Sequence, residues 1–237
     1  MVCLDDACAE TRELARWITP YSRPGRTHWA WDASPLLGLL RDGGPRTFRV
    51  ITGPDWEEPT PADVRVALRL SRRDAAAPRA VGAELAFTGG AFDSTYGAGH
   101  PPFRFTPPAG TTRVELVAIL TGHGQTEGDN CAEWCNHEHS FSVNGAIAHR
   151  IDFPDEAGLP LGCAERVVEG VVPGQWGNWA PSRAAWCPGL PVDAHRIDVT
   201  SELELGAENE IVYTGSFEGG EPRGGDIALS AYVVYYR

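Results

Sequence analysis

Helix signals are almost missing from this chain, and apolar residues alternate with polar ones through most of it. Only residues 34–42 have the form of a helix, with Ser34 placed as N-cap and Pro35 at the first helical position. In Val64-Arg-Val-Ala-Leu-Arg-Leu70 the apolar side chains fall on one face at period two, and Val114 and Leu116 do the same within 112–120. The stretch from Phe141 to Ile151 carries Asn144-Gly145, the strongest short hairpin signal. Further strands are predicted at 15–19, 47–52, 81–87, 195–200, 209–217 and 227–236. Many short strands, punctuated by 27 glycines and 19 prolines, give an all-β chain built as a sandwich or jelly roll.

Two β-domains of roughly 100–130 residues each only just fit in 237 residues. Arg-Asp-Ala-Ala-Ala-Pro-Arg-Ala at 73–80 reads as a boundary, so the expected units are 1–76 and 77–237. The second is long enough for a complete eight-stranded sandwich. The first reads as four or five strands, too few to close two sheets comfortably.

The formal charge of −12 repels nucleic acid and anionic membrane, and otherwise is a solubility feature. No apolar run approaches the about 20 residues of a membrane span. All 20 basic residues are arginine, as expected of a GC-rich genome. The six cysteines favour disulfides, Cys131–Cys135 as a tight local loop and Cys163–Cys187 as a longer one, and hence an oxidising compartment. The alternative is free cysteines in a reduced protein. The spacings do not match paired zinc knuckles. The opening Met-Val-Cys-Leu-Asp-Asp-Ala-Cys lacks a basic start and an apolar core. Export-type cysteines without an export signal predict that the natural N-terminus lies elsewhere.

Two stretches carry chemistry at irregular loop positions. In Asn130-Cys-Ala-Glu-Trp-Cys-Asn-His-Glu-His-Ser-Phe141, Glu133 lies inside the proposed five-residue disulfide loop. Such a loop fixes the backbone and aims a carboxylate. The bland alternative is a solvated loop glutamate. In Gly177-Asn-Trp-Ala-Pro-Ser-Arg-Ala-Ala-Trp-Cys-Pro-Gly189, Arg183 has Trp179 and Trp186 close by, with Trp176 just before. Indole faces stack on sugar rings, and arginine donates fixed hydrogen bonds to hydroxyl or carbonyl oxygens. The alternative has the tryptophans capping the core edge with the arginine stacked outside. His123, His137 and His139 offer a metal reading with copper or zinc, against histidines simply hydrogen-bonded in a polar cluster. Asp55-Trp56-Glu57-Glu58, after a predicted strand, brings another carboxylate that by itself reads only as solvated.

Cys131-Ala-Glu-Trp-Cys135, Gly177 to Gly189 and Arg196-Ile-Asp-Val199, in that order, resemble the peptide-N-glycosidase F family. Arg16-Trp-Ile-Thr-Pro-Tyr21 resembles its first domain. The similarity runs from near residue 2 to the end and is strongest over 112–200. It implies two side-by-side antiparallel jelly rolls with a cleft between them, and hydrolysis of the amide joining asparagine to N-acetylglucosamine, without a metal. The partners implied are N-linked glycoproteins or glycopeptides, and the location secreted or periplasmic. By resemblance Glu133 is the second-domain active-site glutamate, Arg183 a substrate-binding arginine, Trp186 a neighbouring tryptophan, and Trp56 the end of a first-domain motif. The pairs Cys131–Cys135 and Cys163–Cys187 carry over as well.

The chain also departs from the family. The family's Cys-Asp-Glu-Trp-Asp-Arg segment, with its principal catalytic aspartate, has no counterpart before Ile18-Thr-Pro-Tyr21. Aligning Cys3–Cys8 as the family's first cysteine pair puts Arg12 where that aspartate belongs. Pro54 or Gly53 stands at the other first-domain carboxylate, with Asp55 next to it as a substitute. His123 stands where the family has tryptophan, and His137 where it has arginine. Three functions follow as expectations: a glycoamidase using Glu133 and Asp55 with Arg183, Trp186, Trp56, His123 and Trp179 around the substrate; a glycan- or glycopeptide-binding protein without turnover; or a copper monooxygenase-like enzyme using the three histidines.

Overall fold

A computed structural model describes residues 1–20, 26–41, 43–52, 63–70, 77–124, 130–174, 177–218 and 220–237. The N-terminal part contributes a small two-stranded ribbon, β1 (Val2–Cys3) and β2 (Thr11–Arg12), paired antiparallel as Val2↔Arg12 and Cys3↔Thr11. A disulfide between Cys3 and Cys8 closes the turn between them. Asp5 organises the same turn by accepting the N–H groups of Ala7, Ala9 and Glu10 at 2.9, 3.1 and 2.6 Å. Each is a backbone donor that the turn itself leaves without a ladder partner.

The remaining strands form a sandwich. They are β3 (Ala80–Ala91), β4 (Phe103–Phe105), β5 (Arg113–His123), β6 (His137–Val143), β7 (His149–Ile151), β8 (Ala194–Asp198), β9 (Asn209–Phe217) and β10 (Asp226–Tyr236), with one helical turn, α1 (Cys131–Trp134), before β6. One sheet has the order β3-β10-β5-β8 and the other β4-β9-β6-β7, and every pairing is antiparallel. Every connection from β3 to β10 crosses between the sheets except the β6–β7 hairpin, a winding compatible with a jelly roll. The core between the sheets takes Leu116, Ala118 and Leu120 from β5, Phe141 and Val143 from β6, and Ile211 and Tyr213 from β9.

Strand β5 is buried from Val114 to Gly122 because both of its faces are covered. Leu116, Ala118 and Leu120 point into the sandwich. Val117 and Ile119 point the other way, against Leu36 and against Ile18, Trp186 and Val192. The N-terminal part therefore serves as a cover for the outer face of the β3-β10-β5-β8 sheet. At its centre, Val192 donates to Arg16 O at 3.0 Å, Ile18 to Leu190 O at 2.9 Å and Gly189 to Ile18 O at 2.9 Å. Those bonds join residues 16–18 to the loop that follows Arg183.

Several expectations need correction. The predicted strands at 15–19 and 47–52 are reduced to single bridges, Trp17↔Pro191 and Val2↔Phe48. Residues 64–70 form no strand, and Val64, Val66, Leu68 and Leu70 are all exposed. Alternation marks two faces, but a strand exists only where a neighbouring ladder takes up its backbone groups. The helix predicted at 34–42 is, among the described residues, a 3₁₀ segment, Ser34–Leu40, whose N-cap is Ala33 instead of Ser34. Pro35 sits in its first turn, and Gly38 lies so close to β3 that a β-carbon there would be 2.5 Å from Gly82 N. With a proline and a glycine in so short a run, a longer helix has little to hold it.

Candidate active site

The site lies where β5, α1 and the 177–189 loop meet. At the end of β5, Gly122 passes directly under α1, where a β-carbon would lie 1.5 Å from Ala132 O. Glycine is what permits this approach. The single turn of α1 is tied back by the Cys131–Cys135 disulfide. Its leading amides also bond outward, Cys131 N to Arg223 O at 3.2 Å and Ala132 N to Gly224 O at 3.0 Å. Glu133 is thus carried on a segment fixed at both ends, as the cysteine spacing predicts.

The Glu133 carboxylate is 7 % exposed and held through both oxygens. Oε1 accepts from Arg183 Nε at 3.2 Å, and Oε2 from the Gly124 amide at 3.1 Å. Burial pushes its pKa up, while Arg183 and the Gly124 N–H pull it back down. The net direction is upward.

Arg183 is 1 % exposed. Besides Glu133 it donates to Pro181 O at 2.9 Å through Nη1 and to Asn178 O through Nη2. Its guanidinium lies over the Trp134 ring at 4.5 Å and the Trp186 ring at 4.7 Å. Two indoles enclosing the fork hold its plane and strengthen its bonds by excluding water. Each of its three nitrogens thus donates within the protein, Nε to Glu133 itself. The Arg183–Trp186 turn requires Ala185 at a φ of 69°, a left-handed backbone rare outside glycine.

Trp186 is buried, donates through Nε1 to Gly122 O at 2.7 Å, and stacks on His123 with ring centroids 5.3 Å apart. His123 in turn meets Thr121 Oγ1 at 2.7 Å. Burial, then Arg16 and His137, depress its pKa to about 4, so the ring is neutral at ordinary pH. Trp179 packs instead against the cluster of Cys163, Cys187, Val171 and Leu190, around the Cys163–Cys187 disulfide. Asp55, Trp56 and Trp176 lie outside the described residues. Sequence reasoning left Trp134 off the site, although it adjoins Glu133, and missed Arg16 and Thr121 altogether. The only available signal for Thr121 was its period-two relation to His123.

His137 and His139 do not converge with His123 on one point. They lie in the core, His137 Nδ1 2.6 Å from His139 Nε2, and His139 Nδ1 2.6 Å from the Tyr213 hydroxyl. Tyr213 continues to Tyr96 at 2.7 Å. Among the described residues no group of three or more His, Cys, Asp or Glu side chains is arranged to hold a metal ion.

Residues 93–234 match the family described as peptide-N-glycosidase F, C terminal. The chain belongs to this family. Glu133, Arg183, Trp134, Trp186 and His123 all fall inside the part that matches, whereas Arg16, Asp55 and Trp56 fall outside it. A peptide-N-glycosidase F relative from Elizabethkingia miricola, peptide-N(4)-(N-acetyl-beta-D-glucosaminyl)asparagine amidase F, is 31 % identical over 134 residues. That match covers 54 % of this chain and 35 % of the relative, so the chain spans about a third of that protein's length. Among solved structures, PNGase F from Flavobacterium meningosepticum, described as a glycosylasparaginase, superposes with a TM-score of 0.48 at 23 % identity, over 65 % of this chain and 51 % of that one. PNGF-II gives 0.41 at 20 % identity, over 60 % of this chain and 25 % of the other.

Proposed function

We propose that this protein is a glycoamidase that hydrolyses the amide between asparagine and N-acetylglucosamine in N-linked glycoproteins or glycopeptides. The observation that carries the reading is the buried Glu133, aimed by the enclosed Arg183 and the Gly124 amide within the segment that matches the family. In the proposed reaction water adds to the amide carbonyl carbon and the carbon–nitrogen bond breaks. The proton lost by the water passes to the departing nitrogen, leaving aspartate and a glycosylamine. Glu133 is the group proposed to take or hand on that proton. The sequence offers Asp55 as the partner carboxylate and Trp56 as a wall of the cleft. Three disulfides support the secreted or periplasmic location.

One observation favours a second reading, glycan binding without turnover. Both Glu133 oxygens are already anchored, an arrangement that equally suits holding a sugar hydroxyl. Mass spectrometry of an N-glycopeptide incubated with the protein separates the two. Asparagine converted to aspartate supports the amidase. Retention of the glycopeptide on immobilised protein with no conversion supports binding alone, and the absence of both conversion and retention would end both readings.

A further inference from the structure

His123 is joined through two hydrogen bonds to a cation on another segment. Arg16 Nη1 donates to Thr121 Oγ1 at 2.7 Å, and Thr121 Oγ1 lies 2.7 Å from His123 Nε2. Arg16 also donates to Ala228 O at 2.7 Å and pairs with both oxygens of Glu13, at 2.8 Å through Nε and 2.6 Å through Nη2. The guanidinium therefore has no freedom to turn away.

The direction of these bonds follows from donor inventory. Arginine only donates, so the Thr121 oxygen must accept from it. Thr121 is fully buried, and its own hydrogen has His123 Nε2 as the acceptor in reach. The opposite arrangement, with Nε2–H donating to Thr121, would leave a buried hydroxyl hydrogen without a partner. The single ring proton of neutral His123 then sits on Nδ1. That nitrogen makes no hydrogen bond among the described residues. The ring is stacked on Trp186, and the next residue, Gly124, bonds Glu133.

We infer that His123 is a fixed neutral donor of the site, its Nδ1–H set by Arg16 and Thr121 to bond a carbonyl oxygen of the ligand, such as the acetamido oxygen of an N-acetylated sugar. This rests on the glycan-directed reading above. Arg16 and Thr121 are positioning residues, since they act only through the ring. The depressed pKa fits the same picture, because a protonated ring could not accept from Thr121. Glu133 and Arg183 alone provide an acceptor and an enclosed cation. His123 adds the donor that a carbonyl-bearing ligand needs.

Ring ¹⁵N spectra of the labelled protein near pH 7 test the tautomer without reference to activity. The expected pattern is Nδ1 protonated and Nε2 bare in the wild type, moving toward the opposite or a mixed pattern in Thr121→Val. An Nε2–H tautomer or a charged ring in the wild type would overturn the inference. Titration with N,N′-diacetylchitobiose then tests the ligand contact. Binding should shift the His123 Nδ1–H signal and weaken roughly three- to tenfold in His123→Phe, which keeps an aromatic stack. Cellobiose, lacking the acetamido oxygens, should leave that signal in place. Binding of diacetylchitobiose with no shift overturns the donor role while leaving the glycan reading intact. No binding of either sugar, with the tautomer as expected, overturns the ligand contact together with that reading.

Discussion

At Glu133, desolvation and a buried cation act in opposite senses, and desolvation prevails. A group so placed holds its proton to higher pH than the ordinary glutamate value of 4.5. If Glu133 is the proton carrier, the acidic limb of the rate profile lies above the usual glutamate range. Glu133→Gln keeps the shape and an acceptor for Arg183 Nε but gives up the charge and the acceptor for the Gly124 N–H, so its urea midpoint is measured beside its rate. It should lose at least about 100-fold in glycopeptide conversion, the low end of what a positioned proton carrier supplies, and the acidic limb should disappear. A Glu133→Gln variant that retains its rate and its limb would remove Glu133 from the chemistry. Arg183 is a poorer first target, because removing one member of a buried pair typically destabilises by about 3–5 kcal/mol and confounds activity with folding.

Between elements, the closest approach at the site is Gly122 of β5 under α1. A methyl group there would meet Ala132 O at 1.5 Å and His137 Nε2 at 2.6 Å, both inside contact distance. Gly122→Ala must therefore push α1 off the sheet. Its expected penalty is about 3 kcal/mol or more, the upper range of overpacking, read as a lower urea midpoint, and Glu133 moves with the turn. The 177–189 loop has a different anchor, since Cys163 and Cys187 close a loop across a sequence separation of 24. Chain entropy puts its removal at about 3.5 kcal/mol, so a Cys163→Ser/Cys187→Ser variant should unfold earlier in urea by that amount. An unchanged midpoint would mean that packing around Trp179 and Leu190 holds the loop without it. These elements also show what the sequence could disclose. Strands β3, β5, β8, β9 and β10 fall where alternation or apolar runs placed them, and Asn144 and Gly145 both take positive φ in the turn after β6. Glu133, Arg183 and Trp186 stood out because core packing rarely calls for such residues in loops. Residues 64–70 alternate just as clearly and form no strand, because periodicity reports a face and not a partner. Arg16 reaches Thr121 from 105 residues away, a contact that no local pattern encodes.

For the molecule as a whole, the distinctive electrostatic feature is a set of histidines kept neutral by burial. His123 and His137 are each depressed to about 4, and His139 well below the ordinary value of 6.5. In the unfolded chain these rings take up protons as pH falls through about 6.5, while in the folded protein they do not. The unfolded state then binds more protons, so stability falls with pH across the window from about 6.5 to 4. Each ring contributes a slope of up to about 1.4 kcal/mol per pH unit. Glu133 works in the opposite sense, because its raised pKa makes the folded state the proton-richer one, so it offsets part of the loss. The carboxylates with lowered pKa, Asp5, Asp93 and Asp198, act below 3.8 and do not explain a loss that begins above pH 5. Urea midpoints taken from pH 7.5 to 4.5 should therefore fall steeply, and His137→Gln should flatten the slope by about one proton even if it lowers stability at pH 7.5. A midpoint that stays level down to pH 5 would show that the rings are protonated in the fold. The chain His137–His139–Tyr213–Tyr96 would then have to carry a charge in the core.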